Sequence, residues 1–362
     1  MPEENVPSGS MAWEAAATSE ARSARGGLVR AWLMPLALAL VAALFIRGFV
    51  FQAFRIPTES MERNLLVGDF VLVSKLHYGP RLPISIGLPF TDWRLDGVEL
   101  PPRRLPGFRD VRRGDVIVFN YPAERGPIDR RTHYIKRVIA GPGDSLRIVD
   151  KVPYVNGIAQ PLGPQMQQRW IAYTRPGAVM PLERIQALGV RWLTSAGRAH
   201  SRIAFEGTEA MAAEVASWEE VSAVEPLVEH GDPAHGLRIF PEGSGFGRDR
   251  YGPLYVPAAG DTLRLSKRTW PVYRDLITRF EGHDARLLPN GRIEIDGHPT
   301  DRYVVRQDYF FVMGDNRDDS SDSRVWGFVP MDHIVGKAVL IYFSWDPEQQ
   351  RPRFDRIFQR VE

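Results

Sequence analysis

The sequence predicts a mostly β protein: a large antiparallel β-sheet body with a smaller inserted lobe, preceded by one N-terminal transmembrane helix. Two observations carry this. One is a single long apolar run, "AWLMPLALALVAALFIRGFVFQAF", from Ala31 to Phe54. The other is the density of short β-branched or aromatic segments punctuated by Gly and Pro, among them "FVLVSK", "DVIVFNYP", "HYIKRVIA", "SLRIV", "PLYVP", "TLRL", "IEID", "YFFVMG" and "AVLIYF". Long amphipathic helical patterns are scarce between them.

Taken in order, residues 1–27 are small, polar and aperiodic and read as a disordered tail. Residues 28–53 read as the transmembrane anchor. Ala31 to Ile46 is uncharged, and continuing to Phe51 gives about 20 residues, enough to cross a hydrocarbon core. No small-x-small site follows before Arg55, which favours an uncleaved anchor over a signal peptide. Arg47, near the far end, can snorkel to the head groups. Arg22, Arg25 and Arg30 precede the run and Arg55, Arg63 and Lys75 follow it, so charge alone leaves the orientation open.

Residues 54–159 and 301–346 carry the strand signals of the main body, and residues 160–300 read as an inserted second lobe with short helices in "QQRWIAYTRPGAVMPLERIQALGV" and "MAAEVASWEEVSAVEPL". Residues 347–362 read as a C-terminal tail. A proline-rich stretch, 79–113, contains "LPISIGLPFTDW", whose Phe90 and Trp93 suit either a hairpin at a membrane interface or packing against the domain itself. Four strands open with Gly-Asp, at Gly68, Gly114, Gly143 and Gly260, where glycine supplies a positive φ and aspartate caps the turn.

Composition excludes several chemistries. The 362 residues are 44% hydrophobic and 25% charged with a net charge of +2, so nothing is built to neutralise nucleic-acid phosphates. The absence of cysteine removes disulfides, thiolate metal sites and a thiol nucleophile. HExxH, GxxxxGK[ST] and GxSxG are all absent. "GSGFG" at 243–247 lacks the strand-to-helix context of a phosphate loop. "DNRDDSSDSRVW" has the acid density of a calcium loop but carries Ser320 where glycine is needed and Trp326 where an acid is needed.

Three segments remain. Ser60, in "FRIPTESMERNLL" just after the apolar run, is either an ordinary turn serine or an exposed nucleophile. Lys136 lies inside the apolar strand "HYIKRVIA". Alternation there puts Tyr134, Lys136 and Val138 on one face and Ile135, Arg137 and Ile139 on the other, so one cation faces inward or the strand is an edge guarded by lysine. "GDNRDDSSDSRVWGFVP" has four aspartates and two arginines between apolar strands, suiting a solvated loop or a locked network of charge-assisted bonds.

Together these segments resemble the type I signal peptidases (leader peptidases), membrane-anchored Ser/Lys serine endopeptidases. The resemblance runs from about residue 31 through "FRIPTESM", "RRGDVIVFNYP", "YIKRVIAGPGD" and "GDNRDDSSDSRVWGFVP" to "IVGKAVLIYF" at Phe343, and is weak over 79–113 and much of 160–300. It implies cleavage of N-terminal signal peptides from exported preproteins after small residues, at an Ala-x-Ala type site. It aligns Ser60 with the nucleophile and Lys136 with the general base, Thr58 with the hydroxyl that shares the oxyanion hole with the Ser60 N–H, and Ser320 with a serine that positions the lysine. Arg137, Asp315, Arg317, Asp322 and Arg324 fall on scaffold positions. Substrate pockets are implied near Phe54, Ile56, Met61, Leu65, Val118, Tyr134 and Ile135. No cofactor or metal is implied; the partners are signal-peptide-bearing preproteins and membrane lipid, and the protein is expected as a single-pass monomer in the inner (cytoplasmic) membrane with its body on the outer side.

Two departures stand out. Glu59 replaces a common glycine, and "ERN" at 62–64 replaces a proline-containing turn. A Glu59 carboxylate facing Lys136 would favour the ammonium, but neighbouring side chains in an extended segment point apart, so Glu59 is expected to face solvent. The rival readings are a non-catalytic membrane-anchored β module that binds exported chains, and a processing peptidase with a narrow substrate set.

Overall fold

The computed structural model describes residues 32–87, 94–190, 193–196, 201–229 and 238–362. The expected N-terminal tail, with Phe90 and Trp93, lies outside these residues. Two compact units are present, divided after Val50. The first holds an apolar helix, Trp32–Val50, of 19 residues and mean hydropathy 2.2, with side chains such as Trp32, Leu36, Leu40 and Phe45 exposed. At 1.5 Å per residue its length is about 28 Å, close to the thickness of a hydrocarbon core. The helix ends three residues before the expected limit of the anchor. Phe51–Arg55 is instead a strand, because the ladder of the main sheet satisfies its backbone groups.

The second unit is built on an antiparallel sheet. Its strands are β1 (Phe51–Arg55), β2 (Asp69–Ser74), β3 (Val116–Asn120), β4 (His133–Ala140), β5 (Tyr309–Met313), β6 (Val329–Pro330) and β7 (Ile334–Asp346). Their spatial order is β1-β2-β7-β3-β4-β5-β6. Both faces of the centre are covered. Alternation along β3 sends Val116 and Val118 into a cluster with Ile56, Met61, Leu65 and Val71, and Ile117 and Phe119 into a second with Tyr78, Val138, Phe310 and Val312. Strand β4 is interior, paired with β3 and β5, so the edge-strand reading of Lys136 does not hold.

Residues 160–300 do not share one core. Gln167–Thr174, Leu193–Ala196, Arg202–Thr208 and Val221–Pro226 form a separate four-stranded antiparallel sheet, which packs Trp170, Phe205, Val215 and Trp218 with two short helices, Leu182–Ala187 and Glu209–Ala216. The segment after residue 238 instead sends Tyr251, Trp270, Tyr273 and Leu276 into a core shared with Leu146, Ile148, Tyr309 and Phe311. A single lobe was expected because apolar residues in both halves look alike in sequence; their burial partners differ.

Residues 347–362 are bound to the body. Arg351–Pro352 pairs with β7, and Arg356 reaches the fully buried Asp69, with Nη2 at 2.6 Å from Oδ2. All four Gly-Asp corners share one geometry: the glycine has positive φ, and the aspartate Oδ2 accepts the backbone N–H three residues earlier. At Gly68 the requirement is also steric, since a Cβ would lie 2.0 Å from the Trp345 carbonyl oxygen. In the 79–113 stretch, Ser85–Gly87 and Arg94–Glu99 pair antiparallel.

Candidate active site

The connection from β1 to β2 presents Ser60. Ile56 N–H donates to Asp69 O and Gly68 N–H to Ile56 O, closing the base of the loop. Ile56, Met61 and Leu65 are buried and pin it to the sheet, while Glu62 N–H donates to Glu59 O and Leu65 N–H to Met61 O, turning the chain within it. Ser60 is left 8% exposed with its hydroxyl toward β4.

Lys136, opposite Ile117 in the β3–β4 ladder, is 3% exposed. Its Nζ donates to Ser60 Oγ at 2.6 Å and to Ile135 O at 2.9 Å. The Tyr134 ring, on the same strand face, lies 5.5 Å away. Burial pushes the Lys136 amine down to about 8, against the pull of the Asp322 and Asp315 carboxylates. An amine displaced this far is about half neutral near pH 8, the state in which it can accept a proton.

The next residue has the opposite fate. Arg137 is also buried but grips Asp315 with two bonds of 2.7 Å, Nε to Oδ1 and Nη2 to Oδ2. Arg324 binds Asp322 likewise at 2.9 and 2.8 Å, and Asp322 accepts the Gly314 N–H. Arg317, expected in this network, makes no ion pair among the described residues. It is buried, its Nη2 meets Met166 Sδ at 3.3 Å, its Nε and Nη1 have no hydrogen-bond partner, and burial lowers it to about 10.

Ser320 and Thr58 are placed less simply. Ser320 Oγ is buried and has no hydrogen-bond partner, so the expected bond to Lys136 is not made; the amine is occupied by Ser60 and Ile135. Ser320 nevertheless packs at the site. A Cβ on Gly314 would lie 2.4 Å from both Ser320 Oγ and Ser60 O. Thr58 is exposed, and Glu59 is half-buried with its carbonyl accepting from Glu62. Among the expected pocket residues, Ile56, Met61, Leu65 and Val118 form one cluster with Phe54 and Ile135 packed against it, while Tyr134 packs with the other. Met61 and Leu65 are fully buried, whereas Phe54 and Ile135 are half-buried.

Sequence reasoning missed a buried polar chain beside Ser60. Asn316 N–H donates to Ser60 O at 3.1 Å, and its Nδ2 to Glu206 Oε1 at 3.1 Å. Gln167 Nε2 donates to the same carboxylate at 3.0 Å, and Arg63 Nε to Gln167 Oε1 at 3.1 Å. Burial raises the Glu206 carboxyl, offset by the Asn316 bond and Arg169. A lone acid in the apolar strand "RIAFEGT" was the available signal.

A profile of the family described as "Signal peptidase, peptidase S26" matches residues 29–188 and 280–345, more than half of the chain. The chain belongs to this signal peptidase family. Among its relatives, the Signal peptidase I of Aquifex aeolicus is 28% identical over 332 residues, covering 90% of both chains. That of Pseudomonas aeruginosa is 27% identical over 331 residues, covering 88% of this chain and 74% of its own, and that of Haemophilus influenzae is 27% identical with 89% and 73% covered. As a signal peptidase family member the protein is a serine peptidase. The family match skips residues 189–279, the part that supplies Glu206.

Proposed function

We propose that this protein removes N-terminal signal peptides from exported preproteins, cutting after small residues at an Ala-x-Ala site, with Ser60 as nucleophile and Lys136 as general base. The observation that carries the proposal is the 2.6 Å contact between Ser60 Oγ and a buried lysine amine lowered to about 8. A serine hydroxyl is a weak nucleophile until a base takes its proton, and an ordinary lysine is already protonated. In the neutral form of Lys136 the bond reverses and Ser60 O–H donates to Nζ. As Oγ forms its bond to the scissile carbonyl carbon, the proton passes to Nζ and the carbonyl pair becomes an oxyanion. The Ser60 N–H and the Thr58 hydroxyl are the donors for that oxyanion. Collapse breaks the C–N bond, Lys136 returns its proton to the leaving amine, and water, activated by the same amine, hydrolyses the acyl ester.

The apolar helix suits this substrate. Signal peptides are apolar segments with a small-residue cleavage site just beyond them, and Ser60 follows the end of Trp32–Val50 by ten residues. The body is assigned to the outer side of the inner membrane, where such sites emerge. Cleavage of a detergent-solubilised preprotein bearing an Ala-x-Ala site tests the assignment. Ser60→Ala and Lys136→Met should be inert, and Thr58→Val should lose about 10² to 10³ in turnover, as for loss of one oxyanion donor. Full cleavage by Ser60→Ala would sink the mechanism.

A further inference from the structure

We infer that Glu206 is a positioning residue for the Ser60 loop, acting through Asn316 from a strand outside the matched family segments. The inference rests on the proposed roles of Ser60 and Lys136. Glu206 is 6% exposed on the strand Arg202–Thr208 of the four-stranded sheet. Its Oε1 accepts from Asn316 Nδ2 and Gln167 Nε2 at 3.1 and 3.0 Å.

Asn316 is 1% exposed and is oriented by its amino group alone. Its Oδ1 has no hydrogen-bond partner, while Nδ2 faces Glu206 Oε1 and, at 3.4 Å, the Glu59 carbonyl oxygen. Both neighbours are acceptors, so the amide can face only one way. Turned over, Oδ1 would oppose a carboxylate and a carbonyl, at the cost of buried acceptors left unpaired. The same residue's backbone N–H holds Ser60 O at 3.1 Å. Gln167 adds a second tie: it bridges to Asn316 in parallel fashion through its main chain and accepts from Arg63, on the same turn as Ser60. Remove the Glu206 acceptor and Asn316 loses what fixes it, loosening the carbonyl of the residue whose hydroxyl must meet Lys136.

The effect belongs on turnover and not on substrate binding, because Glu206 contacts Asn316 and Gln167 and reaches the Ser60 loop only through them. In the preprotein assay, Glu206→Met, which keeps the side-chain length without an acceptor, should lower kcat roughly 10- to 100-fold, the scale of a misplaced reacting group. KM should be unchanged. Glu206→Gln, whose carbonyl can serve both amide donors, should recover most of the activity. Asn316→Ala combined with Glu206→Met should be no worse than the poorer single variant. Wild-type kcat in folded Glu206→Met, or equal loss in the Met and Gln variants, would overturn the inference. Should Glu206→Met not fold, Glu206→Asp carries the same test by withdrawing the acceptor one methylene, and there a wild-type kcat would again overturn it. Ser60→Ala is run alongside: if it cleaves, the underlying mechanism fails; if it is inert while Glu206→Met is unimpaired, only the positioning role fails.

Discussion

Lys136 and Arg137 are adjacent, both buried, and differ in whether a carboxylate meets the cation head-on. Arg137 has Asp315 in a two-bond grip; Lys136 has a hydroxyl and a carbonyl. A guanidinium cannot discharge and must be paired, whereas an amine can lose its proton when desolvated. Two consequences follow from Lys136 lying near 8 and not at its ordinary 10.5. First, kcat should rise with pH through an apparent value near 8, as the neutral fraction grows, and a rate still rising through 10 would contradict the assignment. Second, the folded lysine gives up its proton before the unfolded one, so between about 8 and 10.5 the unfolded state binds more protons and stability rises with pH. Below that window the penalty is present in full, roughly 3 kcal/mol at 1.36 kcal/mol per pH unit. Lys136→Met, which escapes it but loses two hydrogen bonds, should therefore be more stable than wild type at pH 7 by up to about 2 kcal/mol. Thermal unfolding at pH 7 and pH 10 checks this, with the gain shrinking at the higher pH. That Ser60 meets Lys136 was legible through the family resemblance and not from the residues alone, which left Ser60 open as a turn serine and Lys136 as an edge guard. The Ser320 contact was not, since a motif position does not say where a hydroxyl turns.

At the level of elements, the strands were readable and their neighbours were not. Alternation in "HYIKRVIA" placed Tyr134 beside Lys136, and the Gly-Asp corners formed as turn chemistry requires. Whether β4 was interior depended on β5, which arrives from far along the chain, and local pattern carries no such information. The loop after β5 gives the sharpest element-scale prediction. Gly314 is where that loop passes the Ser60 turn, and a Cβ there would stand 2.4 Å from a backbone oxygen, Ser60 O, which cannot rotate away. Gly314→Ala must push the Ser60 turn and the Asp315–Ser320 loop apart. The expected cost is about 1 to 3 kcal/mol of stability, typical of overpacking. Because Ser60 itself is displaced, kcat should fall about 10²-fold. A folded Gly314→Ala protein with wild-type turnover would show that the loops can separate without moving the hydroxyl.

Across the whole molecule, the site is held by contacts between segments that are remote in sequence, and these are what composition and periodicity cannot foretell. The split of residues 160–300 between two cores is one case. The closure of the chain on itself is another. Asp69 opens β2 directly after the Ser60 loop and is fully buried; its charge is met by Arg356, 287 positions away, through Nε at 3.1 Å and Nη2 at 2.6 Å, with Ser344 Oγ donating at 2.6 Å. Arg356 Nη2 also donates to Asn64 O at 2.8 Å, so the same guanidinium ties the C-terminal segment to the far side of the loop. Removing one member of a buried pair leaves an uncompensated charge and typically costs about 3 to 5 kcal/mol, against 0 to 1 kcal/mol for an exposed pair. Arg356→Ala should therefore destabilise the body by the larger amount in denaturant unfolding. Asp69→Asn in the Arg356→Ala background should give part of this back, because the stranded charge is gone. A loss below about 1 kcal/mol in Arg356→Ala would mean that water reaches Asp69 and that the C-terminal segment is not what closes the fold around the Ser60 loop.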